Sequence, residues 1–492
     1  MRTIVPGTHT PPARLRAGFT LVEMLVSVTL VLLMMMMFAQ IFEIASGIHV
    51  KVRGITRNDQ RTRILSRTLR SDLDKRTMRH TTPFRQNEHL LTNLADRDLD
   101  DRQGYFSVSE NDPGSDLDDV LQFTARTSIS LLNVESSRFS GKSISLAQNV
   151  INQPDYDDGV LDNAAESIAA EISYFLRSGT LFRRVLLLRQ PAYGMAQPTE
   201  QPSGNPIVFP PTLSFWNNFD FSAHYEPNPL INSNVHVRFH GLASLDNSGS
   251  LANYPLGFRR YRFGHDHVTG QPREFTSIPG YGPDNQWGTD DDSPFIGRFT
   301  HEETSNPQFL YPAALPNPMN PVTPLTLDAQ SGVVTQFPNG PRQAEDILMT
   351  NVHSFDVKIL RDSVAPWGQL EVRDENFDTG HPRDNASLLA GTLPGTWMPG
   401  TNATVGTGTY VRSPKPHHYH MGLCFRPKIS GSSGTVEPIW PKDVGQAVID
   451  GSIVWEAVYD PYRAVAIQVI IRFLDLHSGH MRQTTILHSL TN

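Results

Sequence analysis

A run of carboxylates near the middle of the chain has the residue types that bind calcium. Residues 284–292 read DNQWGTDDD, with a glycine among the acids. Ca²⁺ takes about six to eight oxygen ligands, which acids around a turn can supply. The spacing is not that of an EF-hand loop, because the alternation of acids fails after Asp284. We expect a solvated acidic turn here, and the alternative is a calcium site at Asp284, Asp290, Asp291 and Asp292.

Three other groups carry ligand types at less regular spacing: a second acidic turn, a histidine run with a thiol, and a histidine pair. The acids suit calcium, and imidazole and thiolate suit zinc or copper. For each group the alternative is ordinary surface side chains without a metal. The members are Asp155, Asp157, Asp158 and Asp162; His417, His418, His420 and Cys424; and His265 and His267.

The sequence contains none of the local signatures of common enzymes. We find no nucleophile elbow, metalloprotease helix, phosphate loop or dinucleotide fingerprint. Catalytic triads are defined by geometry, so the abundance of Ser, His and Asp residues neither indicates nor excludes a triad. We therefore expect a protein that is not an enzyme, and keep a membrane-anchored enzyme as a minor alternative.

Length, charge and composition limit the classes of protein to which the chain can belong. The 492 residues allow about two to four globular units. A net charge of −8 argues against a basic nucleic-acid binder, so no nucleic-acid partner is expected. The single cysteine, Cys424, excludes an intramolecular disulfide framework. The 37 prolines and 35 glycines predict long loops.

The N-terminal region predicts a membrane anchor. Residues 19–42 form an apolar run long enough to span a bilayer as a helix, which takes about 20 residues. The preceding leader carries Arg2, Arg14 and Arg16 and no acid, which predicts a cytoplasmic leader and an exported body. Glu23 lies inside the apolar run, where a carboxylate needs a partner. If the chain were cut after Gly18, the new amino terminus at Phe19 would suit that role in a neighbouring subunit.

The residues RAGFTLVE, from Arg16 to Glu23, resemble the cleavage site of type IV prepilins and type II secretion pseudopilins. The resemblance covers residues 14–45. It implies cleavage after Gly18 by a prepilin peptidase and methylation of the amine of Phe19. It also implies that Glu23 aids assembly by pairing with the amino terminus of an adjacent subunit. The 18-residue leader, with Pro11 and Pro12, is long for this family.

The remainder of the chain predicts an α+β fold. We expect a leader over 1–18, a transmembrane and stalk helix over 19–80 that ends before Pro83, and a pilin-like β-rich head over 81–492. Leu65, Leu69 and Leu73 share one face of that helix. The head should contain an antiparallel sheet, with the strands and strand pairs expected at 120–125, 168–176 with 181–188, 348–360, and 464–473 with 482–488. Pro/Gly-rich stretches at 190–229, 306–324 and 390–416 are expected to be loop insertions.

The general pattern of the head resembles pseudopilin J, a minor subunit of type II secretion. Three features carry this resemblance: the apolar stalk, the hairpin with YFLR before LFRR at 174–184, and the closing pair of strands after Pro461. It implies a pseudopilus subunit in the bacterial inner membrane, with the body on the periplasmic side. The size of the head predicts a position at the tip, because so bulky a head cannot stack along the shaft of the fibre. Its partners would be prepilin peptidase, other pseudopilins or pilins, and the inner-membrane assembly platform.

The alternative is a minor type IV pilin whose head binds a surface, DNA or a substrate. Exposed aromatic residues in the insertions would favour that alternative, and the candidates are Trp216, Trp287 and Trp397.

Overall fold

The structure of the protein is a computed structural model. It describes residues 18–79, 81–82, 103–109, 116–117, 119–127, 138–145, 153–189, 208–209, 215–226, 235–241, 255–257, 259–264, 299–305, 326–327, 334–336, 340–362, 370–379, 395–406, 409–414, 423–460, 462–476 and 478–491. The chain divides into two compact units. One comprises residues 1–60 with 475–480, and the other comprises 61–474 with 481–492.

A single long helix, α1 (Leu21–Asp74), opens the described chain. It contains one segment, Leu21–Ile48, that is long and apolar enough to cross a membrane. Its last turns bury Leu65, Leu69 and Leu73 in the core, as the spacing predicts. Because these residues are four apart, they lie on one face of the helix. Two one-turn helices follow later, α2 (Phe215–Asn218) and α3 (His301–Thr304).

The helix ends earlier than the sequence predicts, at Asp74 and not near Pro83. Past Asp74 the backbone pairs with a strand instead of continuing the helical ladder. Thr77 N donates to Thr124 O at 2.9 Å, and Arg126 N donates to Lys75 O at 2.7 Å. Tertiary hydrogen bonds therefore end the helix at a point that no glycine or proline marks.

The body is mostly sheet. In chain order the strands are β1 (Phe106–Ser109), β2 (Val120–Arg126), β3 (Phe139–Lys142), β4 (Ala164–Ser167), β5 (Ala169–Arg177), β6 (Thr180–Leu188), β7 (Val208–Phe209), β8 (Ala223–Glu226), β9 (Val235–Phe239), β10 (Thr326–Leu327), β11 (Val334–Gln336), β12 (Ile347–Thr350), β13 (Val352–Asp362), β14 (Leu370–Arg373), β15 (Phe377–Asp378), β16 (Gly395–Thr396), β17 (Asn402–Ala403), β18 (Val411–Arg412), β19 (Leu423–Ile429), β20 (Gly431–Ser432), β21 (Ala447–Asp450), β22 (Ile453–Tyr459), β23 (Ala464–Asp475) and β24 (His480–Ser489). With α1, they confirm a mixed α+β fold.

Two antiparallel sheets share the main hydrophobic core with the last turns of α1. One has six strands in the order β12-β6-β5-β2-β1-β15, and the other has four in the order β14-β13-β23-β24. Residues of both sheets belong to one buried cluster, among them Phe123, Ile172, Val357 and Ile467. The C-terminal strand pair is part of the second sheet, as predicted.

The strand predicted at 348–360 is two strands in different sheets. Asn351 has a φ of +60° and separates β12, in the six-stranded sheet, from β13, in the four-stranded sheet. Asparagine tolerates this left-handed conformation better than most residues do. The hairpin of β5 and β6 is confirmed, and its two loop residues, Ser178 and Gly179, both have positive φ. That geometry is the type I′ turn that matches strand twist.

A further β-module lies between β15 and β23, where the sequence predicts only a loop insertion at its start. Its five-stranded sheet has the order β16-β18-β19-β22-β21. The module has a buried cluster of its own that includes Trp397, Phe425, Trp440 and Trp455. Trp397 Nε1 and Trp455 Nε1 both donate to Asp450 Oδ2, at 2.7 and 2.9 Å. The aromatic residues of this cluster come from separate segments of the chain, so periodicity within any one segment does not reveal the core.

Candidate functional site

The predicted processing site lies at the start of α1. Gly18, Phe19 and Thr20 precede the helix, and all three are exposed. The side chains of the span that follows are exposed along its whole length, so this helix is not a core helix of the described body. An apolar surface of this length is stable only against lipid or other apolar helices.

Glu23 already has a hydrogen-bond partner in its own chain. Its Oε2 accepts from Thr20 N at 3.1 Å and from Thr20 Oγ1 at 3.0 Å, and Glu23 N donates back to Thr20 Oγ1 at 3.3 Å. This reciprocal pattern is a capping box, which satisfies amide donors at a helix start. The sequence signal is Thr20 followed three residues later by Glu23, and the residue-level prediction for Glu23 missed it. Any neighbouring amine that binds Glu23 must compete with Thr20 or share the carboxylate.

The other end of α1 is anchored in the head through Asp72. The buried Asp72 carboxylate accepts from Tyr174 Oη at 2.5 Å and from Arg183 Nε and Nη2 at 2.6 and 3.0 Å. Burial raises the pKa of Tyr174, and the nearby Asp72 charge raises it further, so the phenol stays protonated and donates. The paired guanidinium and phenol offset the cost of burying Asp72.

A polar cavity of about 610 Å³ lies beside this anchor. Val185 is the one apolar side chain among its lining residues, which are Ser140, Gly141, Lys142, Arg183, Val185, Asp220, His301, Arg342, Glu345 and Asp346. The guanidinium of Arg342 pairs with both Asp220 and Glu345. Burial raises the pKa of Asp346 to about 6. Small-molecule sites are mostly apolar, so this lining is better suited to water than to an organic ligand.

A buried set of Ser222, His240 and Glu171 has the residue types of a catalytic triad but not its geometry. Ser222 Oγ donates to Glu171 Oε2 at 2.6 Å, and lies 2.7 Å from His240 Nδ1. Because the hydroxyl proton is directed at the carboxylate, Nδ1 must donate to Oγ and cannot act as its base. All three residues are buried. The set is a structural hydrogen-bond network.

One group of acids in the described residues has the separations that a metal ion requires: Asp119, Asp356 and Asp374. Sequence analysis missed it because the three residues come from distant segments. Lys358 Nζ lies 3.2 Å from Asp356 Oδ1 and 2.5 Å from Asp374 Oδ2. Asp119 Oδ2 accepts from Val357 N at 2.5 Å. The ammonium of Lys358 therefore already neutralises two of the three carboxylates that a metal would need.

The candidate calcium site at Asp284, Asp290, Asp291 and Asp292 lies outside the described residues, as do the histidines at 265, 267, 417, 418 and 420. The second acidic turn is described, and its carboxylates have protein partners. Asp157 forms a two-point ion pair with Arg189 at 2.6 and 2.8 Å, and Asp158 and Asp162 accept from nearby backbone amides. Cys424 is buried.

The tryptophans whose exposure would favour a binding head are buried where the structure describes them. Trp216 is buried in the main core and Trp397 in the β-module, while Trp287 lies outside the described residues. Because each of the first two indoles packs within a hydrophobic cluster, neither favours the alternative of a binding head. Comparison with protein-family models, curated proteins and solved structures finds no match for this chain.

Proposed function

We propose that this chain is a membrane-anchored structural subunit of a pilus-like fibre, specifically a minor pseudopilin of a type II secretion pseudopilus with a pilin-like head. A prepilin peptidase would cut after Gly18 and methylate Phe19, and the body would lie on the periplasmic side of a bacterial inner membrane. The observation that carries the proposal is the exposed apolar helix that begins at Leu21, two residues beyond Phe19 and the proposed cleavage site.

The exposure of this helix supports assembly as well as anchoring. A lone anchor needs about 20 apolar residues, and the exposed apolar segment of α1 has 28. The carboxylate of Glu23 near its start is costly in lipid unless it has a partner. Its capping-box bonds satisfy part of that need, and an amino terminus supplied by a neighbouring subunit would add the opposite charge.

The anchoring of the helix end supports a structural role. The bonds of Asp72 to Tyr174 and Arg183 join the last turns of α1 to the six-stranded sheet. Leu65, Leu69 and Leu73 add apolar packing on the same helix. A fibre subunit needs this kind of joint, because force on the helix must reach the head without pulling the helix out.

The first test is mass spectrometry of the N-terminus of the full chain from native membranes. We expect a species that begins at N-methyl-Phe19, and Gly18→Leu should block its formation. The Glu23→Ala variant should be processed normally but fail to enter fibres. Ser27→Ala is the matched control, because Ser27 is polar, lies in the same span and bonds only to the nearby Met24 O among the described residues.

An unprocessed Met1 start in the wild-type chain would contradict the proposal, since the apolar segment would then be a simple anchor. Normal assembly of Glu23→Ala would instead contradict only the role given to Glu23.

A further inference from the structure

The walls of the polar cavity in the head are bonded to one another. The Asp220 carboxylate accepts from Arg342 Nη2 at 2.8 Å and from Lys142 N at 2.7 Å, and Asp220 N donates to Lys142 O at 2.9 Å. Asp346 Oδ2 joins α3 to these walls by accepting from His301 N at 3.1 Å. The cavity is therefore preformed, as ligand sites usually are, and its volume of about 610 Å³ is within their range of about 300–1,000 Å³.

The charges of the lining cancel. Burial lowers the pKa of His301, so its imidazole is neutral near neutral pH. A phosphate or a divalent metal ion would leave an excess of one charge in this partly buried site, which is costly. The lining therefore favours a ligand without net charge. Its three basic and three acidic side chains are Lys142, Arg183 and Arg342, and Asp220, Glu345 and Asp346.

Several lining groups have hydrogen-bonding capacity to spare. Asp72 accepts from Nε and Nη2 of Arg183, which leaves Nη1 as a donor. The ammonium of Lys142 has three protons, and Asn217 O accepts one of them at 2.5 Å. On the acceptor side, Oε2 of Glu345 is used in an ion pair, which leaves Oε1. The cavity thus offers a ligand both donors and acceptors.

His301 supplies an acceptor from the inner wall. Its side chain is 8% exposed, and its Nδ1 lies 3.6 Å from Asp220 Oδ1. A carboxylate beside Nδ1 favours the tautomer that carries its proton there, so Nε2 is the acceptor nitrogen. Nε2 has no partner among the described residues and, unlike Nδ1, is not fully buried. Because the ring lines the cavity, a ligand can use this nitrogen.

We propose that this cavity binds a neutral sugar ring. Each hydroxyl group of a sugar is both a donor and an acceptor, so one ring can bind the spare donors and the spare acceptors together. A lining that suits water also suits hydroxyl groups, because a ligand that reproduces the hydrogen bonds of the displaced water keeps their contribution. A peptide fits less well, since Val185 is the one apolar lining residue that its side chains could contact. The proposal is independent of the proposed function.

The test is saturation-transfer difference NMR of the full chain in a detergent without sugar head groups. The probes are glucose, galactose and N-acetylglucosamine, with glycine and phosphate as charged competitors. We expect a saturation signal from at least one sugar that neither competitor displaces. Maltotriose and chitotriose distinguish the source of the sugar: a trimer that binds several-fold more tightly than its monomer indicates a glycan chain, and equal binding indicates a free sugar.

Two variants, each with a matched control, assign the signal to the cavity. Ser140→Trp fills the cavity from an exposed lining residue and should abolish the signal, whereas Thr485→Trp, at an exposed residue of β24, should not. His301→Phe keeps an aromatic ring but removes the acceptor nitrogen, so the sugar should bind several-fold more weakly. His480→Phe, at an exposed histidine, should bind the sugar as the wild type does.

Three results would overturn the proposal. The first is the lack of a saturation signal from every sugar probe. The second is an equal signal from Ser140→Trp and Thr485→Trp, which would place the sugar elsewhere on the chain. The third is displacement of the sugar by glycine or phosphate, because the cavity would then select a charged ligand.

Discussion

The carboxylate of Glu171 is the centre of an extended buried polar network in the head. It accepts from Gln122 Nε2 at 2.8 Å, from Ser222 Oγ at 2.6 Å and from the phenol of Tyr105. Buried polar groups are stable only when their hydrogen bonds are satisfied. His240 completes the network through Ser222, and burial lowers the pKa of His240 to about 3.

This imidazole should make the head sensitive to acid. The folded chain keeps His240 neutral, whereas the unfolded chain takes up a proton below about pH 6.5. The stabilising contribution is therefore lost as the pH falls from about 6.5 toward 3. The His240→Asn variant offers an amide donor to Ser222 without titrating. Between about pH 7 and pH 5 the wild type should lose about 2 kcal/mol more unfolding free energy than the variant.

Denaturant unfolding of the full chain in detergent at the two pH values measures this difference. Other titrating groups act in both proteins, so the comparison isolates His240. His480→Asn, at an exposed histidine, should keep the pH dependence of the wild type. An equal loss in wild type and His240→Asn would show that His240 does not contribute.

Features built from neighbouring residues could be predicted from the sequence, whereas features built from distant segments could not. The helical face of Leu65, Leu69 and Leu73, and the hairpin closed by residues 178–179, each follow from a few neighbouring residues. The Glu171 network and the metal-like group of three aspartates do not, because their members meet only after the sheets form. The candidate processing site at 18–23 could be recognised in the sequence because its residues are consecutive.

At the scale of elements, the two aspartates at the C-terminal end of helix α1 lie in different environments. Asp72 is buried and bonded to Tyr174 and Arg183, whereas Asp74, two residues later, is 68% exposed. Positions two apart on one helix face different directions, so Asp72 bonds to the six-stranded sheet whereas the Asp74 carboxylate contacts His488 of β24, at 3.5 Å.

The Asp72→Asn variant should weaken the joint between helix and sheet. It leaves Arg183 without its ionic partner, and breaking a buried pair costs about 3–5 kcal/mol. Because the Arg183 side chain is 24% exposed, water offsets part of that cost, and we expect a loss of about 2–3 kcal/mol of unfolding free energy. The measurement is denaturant unfolding of the full chain.

Asp74→Asn is the matched control for this prediction. It removes the same charge from the same helix turn, and the Asp74 carboxylate, although 3.5 Å from the buried His488, is 68% exposed. Its effect should stay within about 0.5 kcal/mol. If the two variants lose the same free energy, the effect arises from helix charge and not from the buried pair.

At the scale of the whole molecule, the charges that flank the apolar segment oppose the proposed orientation. The leader contributes Arg2, Arg14 and Arg16. The first residues after the segment contribute more basic charge: Lys51, Arg53, Arg57, Arg61 and Arg63. Basic residues favour the cytoplasmic side, so these flanks alone would keep the body inside. Long domains are translocated largely regardless of charge, and the chain continues from this flank to residue 492.

The proposed function therefore predicts an exported body despite its basic flank. In a Cys424→Ser background, Val436→Cys should react with a membrane-impermeant maleimide in intact spheroplasts, because Val436 is exposed in the β-module. Thr10→Cys in an unprocessed Gly18→Leu chain should react only after lysis. Labelling of residue 436 only after lysis would place the body in the cytoplasm, where it could not join a periplasmic fibre, and the flanking charges would then explain the orientation.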